Sequence, residues 1–153
     1  MGFFNTMNIS ATGLTAQRLR MDIIAENIAN VNTTRTADGG PYQRKTVLFE
    51  EIRETPFARL FNQTFNMLPG IPAPQGMGVR VHSVVEDPTP GLLAFDPTHP
   101  DADEYGYVRL PNVNIVEEMI NMIPASRSYE ANITAMQNAR TLTQRTLEIG
   151  QGR

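Results

Sequence analysis

The chain of 153 residues contains no cysteine and no tryptophan. The lack of cysteine excludes disulfide bonds, thiolate nucleophiles and zinc sites with cysteine ligands. A formal charge of -3 and a pI near 5.4 do not favour a nucleic-acid binder, for which a basic surface is typical. Apolar runs are far shorter than the roughly 20 residues of a membrane-spanning helix. The opening residues, MGFFNTMNIS, have no basic and apolar regions like those of a secretory signal, so we expect no cleavable signal peptide.

Proline and glycine are unevenly distributed along the chain. Ten of the 11 prolines lie between residues 41 and 111, and the first 38 residues contain none. Because proline costs a helix interior about 3 kcal/mol, the chain divides into two helix-permitting ends and a helix-poor middle. This predicts three segments: an N-terminal helical segment at 1–33, a β-rich domain at 34–112, and a C-terminal helical segment at 113–153.

The N-terminal segment predicts a helix over about residues 5–31. Its apolar residues follow a partial heptad repeat, in which Ser10 and Gln17 occupy two of the inward positions. The apolar members of the repeat are Met7, Leu14, Met21, Ile24, Ile28 and Val31.

The C-terminal segment predicts a second helix that begins after an N-cap at Asn114 and ends at Gly150. Pro124 lies within it and would remove a hydrogen bond to Ile120, which predicts a kink or break over residues 119–125. The predicted inward positions are Ile115, Met119, Met122, Ser126, Tyr129, Ile133, Met136, Arg140, Thr143 and Leu147. At 1.5 Å per residue such a helix is about 50 Å long, more than the diameter of a compact globule of this size.

The middle segment predicts short strands and turns. Residues 46–49 and 79–85 have strand patterns, and residues 92–95 and 105–110 predict the two arms of a hairpin. A short amphipathic helix is expected at 56–67, followed by a flexible loop at 69–78. The fold class is therefore α+β: the two long helices pair as an antiparallel coiled-coil stem, and the middle of the chain forms a small β-rich domain.

No constellation of residues predicts catalysis, a cofactor or a metal centre. The serines lie outside any nucleophile-elbow motif, and no phosphate-binding glycine loop is present. The loop from Asp96 to Glu104 groups several carboxylates. Compared with an EF-hand loop that begins at Asp101, the sequence fails the pattern at the fifth and twelfth positions. It can be interpreted as a solvated turn, which its aspartates and prolines favour, or as a weak cation site. We expect no enzyme, no cofactor and no bound metal.

Two motifs have both a local and an intermolecular interpretation. In NIANVNTT, Asn27, Asn30 and Asn32 can end a helix in an Asx-type turn, or bond to neighbouring chains in an assembly. The RSYEAN stretch, residues 127–132, admits the same two interpretations. Polar residues at inward positions would leave an isolated two-helix stem with too little buried apolar surface, so other chains should complete it.

The sequences RMDIIAENIANVNTTRTADGGPYQRKTVLFE, at 20–50, and GVRVHSVVEDPTPGLLAFDPTHPDADEYGYVRLPNVNIVEEMINMIPASRSYEANITAMQNARTL, at 78–142, resemble the flagellar basal-body rod proteins. Within the rod and hook axial family, the GGPYQRKTVLFE, HPDADEYGYV and RSYEAN stretches are most similar to proteins of the proximal rod. The resemblance covers most of the chain apart from residues 52–77.

The resemblance implies a non-enzymatic subunit that polymerises through its terminal helices into the torque-transmitting drive shaft. It implies export by the flagellar type III apparatus without a cleaved signal peptide, and a place in the periplasmic rod of the basal body. The implied partners are copies of the chain, other rod proteins, the adaptor on the side of the membrane ring and export gate, and distal rod neighbours. No nucleic acid and no membrane-spanning segment are expected.

The residues assigned to subunit interfaces combine the apolar helix positions with the two polar motifs. They are Leu14, Met21, Ile24, Asn27, Ile28, Asn30, Val31, Asn32, Met119, Met122, Arg127, Tyr129, Glu130, Asn132, Ile133 and Met136. The alternative function is a soluble dimeric coiled-coil adaptor or export-chaperone binding module. A dilute rod subunit should be monomeric, whereas the adaptor should be a tight dimer.

Overall fold

The computed structural model describes residues 3–37, 39–52 and 77–150. A long helix lies towards each end, and short strands lie between them, which confirms the predicted α+β class. The elements are α1 (Phe3–Ala29), β1 (Lys45–Glu51), β2 (Val79–Glu86), β3 (Leu93–Phe95), β4 (Tyr107–Arg109) and α2 (Ile115–Gly150). The predicted helix at 56–67 and nearly all of the predicted loop at 69–78 lie outside the described residues. Among the described helices, none is both long and apolar enough to cross a membrane.

The strands form two separate two-stranded sheets. β1 pairs with β2, and hydrogen bonds from Asp87 N to Arg44 O and from Ile52 N to Gly78 O show that the pair is antiparallel. β3 and β4 form the predicted hairpin, with Phe95 opposite Tyr107. The strands predicted at 46–49 and 79–85 and the predicted hairpin are therefore confirmed. Their alternating side chains suit half-buried strands.

The chain folds as two compact units. Unit 1 comprises Met1–Ala16, Phe49–Val81 and Tyr129–Arg153. Within it, Gly13 lies against Asn132, and a Cβ at Gly13 would be 3.0 Å from the Asn132 amide. The Thr12 hydroxyl accepts a hydrogen bond from Val79 N at 3.2 Å and donates one to Ile9 O at 2.7 Å. Small and polar residues therefore mediate the contacts of α1 in this unit.

Unit 2 comprises Gln17–Leu48 and His82–Ser128. It contains the β3–β4 hairpin, whose inward residue Val108 is 3% exposed. The rings of Phe95 and Tyr107 meet edge to face on the other side of the hairpin, with centroids 5.3 Å apart. Gly91 precedes this hairpin and lies so close to Leu110 that a Cβ would overlap its carbonyl oxygen. Only glycine fits there.

The ends of the helices are set by asparagine residues. Asn114 Oδ1 accepts a hydrogen bond from Val116 N at 3.0 Å, which confirms the predicted N-cap of α2. α1 ends at Ala29, two residues before the predicted end. Asn30 Nδ2 donates to Glu26 O, and Asn30 Oδ1 accepts from the Thr33 hydroxyl. The local interpretation of the asparagine motif is therefore confirmed for Asn30.

The predicted break at Pro124 is wrong, because α2 continues through this residue. Pro124 is exposed, and so is Ile120, whose carbonyl group loses the hydrogen bond. Water can therefore hydrogen-bond to that carbonyl, and one missing bond does not end a helix of 36 residues. A bend without a break stays a prediction.

The predicted orientation of α2 is partly wrong. Glu118 and Ala125, which were not predicted to face inward, are buried, whereas Met119 is 58% exposed. One row of covered positions is spaced alternately by four and three residues: Glu118, Met122, Ala125, Tyr129, Asn132, Met136, Ala139 and Thr143. The predicted inward residues Ser126 and Ile133 are covered as well. The prediction is wrong at the start of α2, where Ile115 and Met119 are exposed and the charged Glu118 is buried instead.

Candidate functional site

A buried asparagine lies at the centre of unit 2. Asn27, in the last turn of α1, is 0% exposed. Its Nδ2 donates to Lys45 O at 2.9 Å and to Glu118 Oε2 at 3.0 Å. Its Oδ1 accepts from the Tyr42 hydroxyl at 2.8 Å and from Lys45 N at 2.9 Å. All four hydrogen-bonding positions of the amide are therefore filled within the chain.

This amide takes the place of a strand partner for the start of β1. Lys45 is the first residue of β1, and both its N–H and its C=O bond to Asn27. A buried backbone group that lacks a partner is costly, so the Asn27 side chain fixes the first residue of the strand against the end of α1. We call the bonded set Asn27, Tyr42, Arg44, Glu118 and Asn112 the polar joint.

Glu118 brings a negative charge into this joint. Its side chain is 1% exposed, and its Oε1 lies 2.7 Å from Arg44 Nε. The second carboxylate oxygen accepts from Asn27. A buried carboxylate needs both an opposite charge and hydrogen bonds, and Arg44 and Asn27 supply them. This links the second helix to both the first helix and the strand.

Asn112 closes the joint on the side of β2. Its Oδ1 accepts from Arg44 N at 2.7 Å, and its Nδ2 donates to Asp87 O at 3.0 Å. Asp87 N in turn donates to Arg44 O. Asn112 lies three residues before α2, so the approach to that helix is held directly by the ends of β1 and β2.

Burial and the nearby carboxylates favour the protonated form of Tyr42. Burial, followed by the nearby carboxylates of Glu26, Glu86 and Glu118, raises the pKa of Tyr42 from 10.0 to about 12. The ion pair between Lys45 Nζ and Glu26 Oε1, 2.7 Å apart, raises the pKa of Lys45. Lys45 also lies 5.5 Å from the centre of the Tyr42 ring. Tyr42 therefore keeps its proton at physiological pH and donates it to Asn27 as a hydrogen bond.

The acidic loop is organised by bonds to its own backbone. Asp96 Oδ1 accepts from the amide and hydroxyl of Thr98, and these bonds lower the pKa of Asp96. Asp103 Oδ1 accepts from the amides of Tyr105 and Tyr107. Asp101 bonds the Thr34 hydroxyl at 2.7 Å. The turn interpretation accounts for these carboxylates, and among the described residues no group of three acidic or histidine side chains is placed to hold a metal ion.

The structure distributes the predicted interface residues between the two units. Within unit 2, Ile24 and Asn27 are buried, Asn32, Met119 and Arg127 are exposed, and Met21, Ile28, Asn30, Val31 and Met122 are intermediate. Within unit 1, Glu130 is exposed, and Leu14, Tyr129, Asn132, Ile133 and Met136 are intermediate. Asn27 has its role inside the chain, and the assignment of the whole set to subunit interfaces stays a prediction.

Most residues of the polar joint carry no signal in the sequence. No sequence motif singles out Glu118, Tyr42, Arg44 or Asn112 as site residues. One signal was available: Glu118 precedes Met122 and Ala125 at the four–three spacing of a covered face. A glutamate at such a position needs a cation, but the sequence does not show which arginine supplies it.

Comparison with known proteins identifies the family. The model for "Flagella basal body rod protein" matches residues 7–35, and that for "Flagellar basal body rod FlgEFG protein C-terminal" matches residues 105–149. The flagellar basal-body rod protein FlgC of Borreliella burgdorferi is 47% identical over 99% of this chain and 100% of its own length. The chain belongs to the FlgC family of flagellar basal-body rod proteins. The Bacillus subtilis and Escherichia coli O6:H1 FlgC proteins are 39% and 37% identical, each with 99% of this chain and 100% of the relative covered.

Membership of the FlgC family defines the function at the level of the organelle. The chain is a structural subunit of the bacterial flagellar basal-body rod. The polar joint fits this function, because a structural subunit needs its helices and strands fixed to one another. The two family-model matches cover the terminal segments, and between them they contain Asn27 and Glu118, which bond to each other.

Proposed function

We propose that this FlgC-family subunit polymerises through its terminal helices into the periplasmic, proximal part of the rod. We further propose that it is exported by the flagellar type III apparatus without a cleaved signal peptide and catalyses no reaction. Its partners would be copies of itself, other rod proteins, the adaptor beside the membrane ring and the distal rod neighbours. The division into helical segments at 1–33 and 113–153 and a β-rich domain at 34–112 belongs to the same proposal.

The observation that carries the proposal is an exposed apolar row on α2. Val116, Ile120 and Ile123 are 64%, 61% and 53% exposed, and Met119 beside them is 58% exposed. With 3.6 residues per turn, positions 116, 120, 123 and 127 lie on one face of the helix, and Arg127 ends the row. We call Val116, Met119, Ile120, Ile123 and Arg127 the α2 stripe.

Such a surface is unusual on a protein that remains monomeric. Large contiguous apolar patches with polar edges mark sites of protein association. In unit 2 the buried residues of α2 are Glu118 and Ala125, whereas Val116, Met119, Ile120 and Ile123 are more than half exposed. This distribution supports a helix whose apolar surface is covered by neighbouring subunits.

The test is to place a charge in the stripe. Ile120→Asp should abolish rod assembly, because burying an unpaired carboxylate in an interface is strongly unfavourable. Asn138→Asp, at an exposed position of the same helix beyond the stripe, adds the same charge and serves as the matched control. Basal bodies counted by electron microscopy and swimming in soft agar give the readout, with circular dichroism of each variant to check folding. Normal assembly by folded Ile120→Asp subunits would refute the proposal.

A further inference from the structure

A second exposed apolar surface lies on the β3–β4 hairpin. Leu93, Phe95 and Tyr107 are 59%, 66% and 43% exposed, and Tyr105 in the adjoining turn is 80% exposed. Phe95 pairs with Tyr107, and Leu93 pairs with Arg109, so these side chains share the face opposite Val108. We call Leu93, Phe95, Tyr105 and Tyr107 the hairpin patch. It does not belong to the helical interface proposed above.

Unpaired charges of opposite sign lie at the two ends of the hairpin patch. Glu104 is exposed in the turn and Arg109 is exposed at the far end of β4, and neither makes a hydrogen bond or ion pair with the described residues. Glu104 differs in this respect from Asp96, Asp101 and Asp103, whose carboxylates are bonded within the loop or to Thr34. Its charge is therefore available to another molecule.

The α2 stripe has the complementary arrangement. Glu117 flanks its first turn and Arg127 ends it, and within the described part of the chain both are exposed and unpaired. Ten residues of helix separate these two charges by about 15 Å. Residues 104–106 form a turn, closed by hydrogen bonds from Gly106 N to Asp103 O and from Asp103 N to Tyr107 O, so the separation of Glu104 and Arg109 is shorter than that of a fully extended chain. The two surfaces thus match in apolar character and in the sign of the charge at each end.

We propose that the hairpin patch of one subunit docks on the α2 stripe of a second copy of this chain, with Glu104 near Arg127 and Arg109 near Glu117. This contact rests on the proposed assembly through the helices and names the partner of that surface. It joins two different surfaces, so the copies associate head to tail, and an interface of this kind generates helical assemblies when it does not close into a ring. A contact of one hairpin against three helical turns is smaller than a typical stable interface, so it should form in the rod and not between dilute subunits.

Charge exchange tests the partner. Glu104→Arg and Arg127→Glu should each lower the number of basal bodies per cell about tenfold, because each places like charges together in the contact. The double variant carries the exchanged pair between every two copies and should return the number to within about twofold of the wild type. If the double variant stays as impaired as the single ones, Glu104 and Arg127 do not meet between copies, and the inference is overturned.

Cysteine cross-linking tests the register, and the absence of native cysteine makes it unambiguous. Oxidation of rods that carry Tyr105→Cys with Ile123→Cys should give a ladder of linked copies on a non-reducing gel. The control pairs Tyr105→Cys with Val116→Cys. Val116 is about 10 Å further along the same helix, beyond the roughly 7 Å that a disulfide can span between Cα atoms. A ladder from the control alone, or cross-links only to another axial protein, would overturn the inference.

These experiments separate the inference from the function on which it rests. If Ile120→Asp subunits assemble normally, the helical assembly proposal itself is wrong. If Ile120→Asp abolishes assembly while the exchanged charges fail to rescue and no copy-to-copy ladder forms, the stripe is an interface with a different occupant. In that case the docking of the hairpin patch fails alone.

Discussion

Replacing Arg44 by methionine should destabilise the chain more than replacing Arg44 and Glu118 together. Arg44→Met removes the guanidinium that lies 2.7 Å from Glu118, whose side chain is 1% exposed. The carboxylate then keeps only the hydrogen bond from Asn27. In the double variant Arg44→Met/Glu118→Gln, the buried charge is absent and the glutamine oxygen can still accept that bond.

The structure sets the size of each effect. Breaking a buried ion pair by removing one partner costs about 3–5 kcal/mol, because a charge remains buried without compensation. The double variant leaves at most a neutral buried group short of a partner, which costs about 1–3 kcal/mol. We therefore expect the double variant to be about 2 kcal/mol more stable than Arg44→Met. Removing a second native residue should therefore restore part of the stability that Arg44→Met loses.

The free energy of unfolding can be measured by urea titration followed by far-ultraviolet circular dichroism. With a slope of about 2 kcal/mol per molar urea, Arg44→Met should lower the midpoint by about 2 M. Hydrogen exchange at the Lys45 amide, which donates to Asn27, reports on the joint itself. Arg80→Met is the matched control, because the Arg80–Glu50 pair is 62% and 40% exposed and should contribute under about 1 kcal/mol.

Two outcomes would contradict this reasoning. If Arg44→Met costs no more than Arg80→Met, Glu118 does not depend on its cation in the folded chain. If the double variant is less stable than Arg44→Met by the full cost of Glu118→Gln, the two residues contribute independently, and the buried charge is not the cause.

Two further predictions concern the β3–β4 hairpin and the polar joint. Gly91→Ala should prevent closure of the β3–β4 hairpin, because its Cβ would overlap the Leu110 carbonyl, whereas Gly40→Ala meets no atom within 4 Å and should leave the thermal midpoint nearly unchanged. Because the pKa of Tyr42 rises from 10.0 to about 12 on folding, the stability that Tyr42 contributes is complete below pH 10 and should be lost towards pH 12, by about 2–3 kcal/mol. Urea titrations of wild type and Tyr42→Phe across this pH range would show it, and an unchanged pH dependence in Tyr42→Phe would refute the assignment.

The features that could be predicted from the sequence are those set by local chemistry. The proline-free ends form the two long helices, the asparagine at 114 caps α2, and the alternating residues at 79–85 form a strand. Each depends on residues within a few positions of one another, where backbone propensity, capping and alternation act directly.

The polar joint could not be predicted because its bonds join distant parts of the chain. Asn27 and Glu118 are 91 positions apart, and Arg44 and Glu118 are 74 apart. Periodicity gives a face for each helix but not the partner of a charge, and apolar residues on two faces of α2 made the face ambiguous. At Pro124 the local rule predicts a break, but the helix continues. The carbonyl that loses its hydrogen bond belongs to Ile120, which lies on the exposed side of the helix.

A polar joint in a rod subunit favours one geometry over maximal stability. Apolar residues of similar volume could replace Arg44 and Glu118 with little loss, because desolvating two charges offsets most of their attraction. Apolar packing, however, tolerates small shifts between α1, α2 and β1, whereas Asn27 keeps its four bonds only when all three elements are in register. In a helical assembly an angular error within one subunit is passed to the next, so errors accumulate along the rod. We therefore expect Asn27→Leu to disturb assembly even at temperatures where the subunit remains folded.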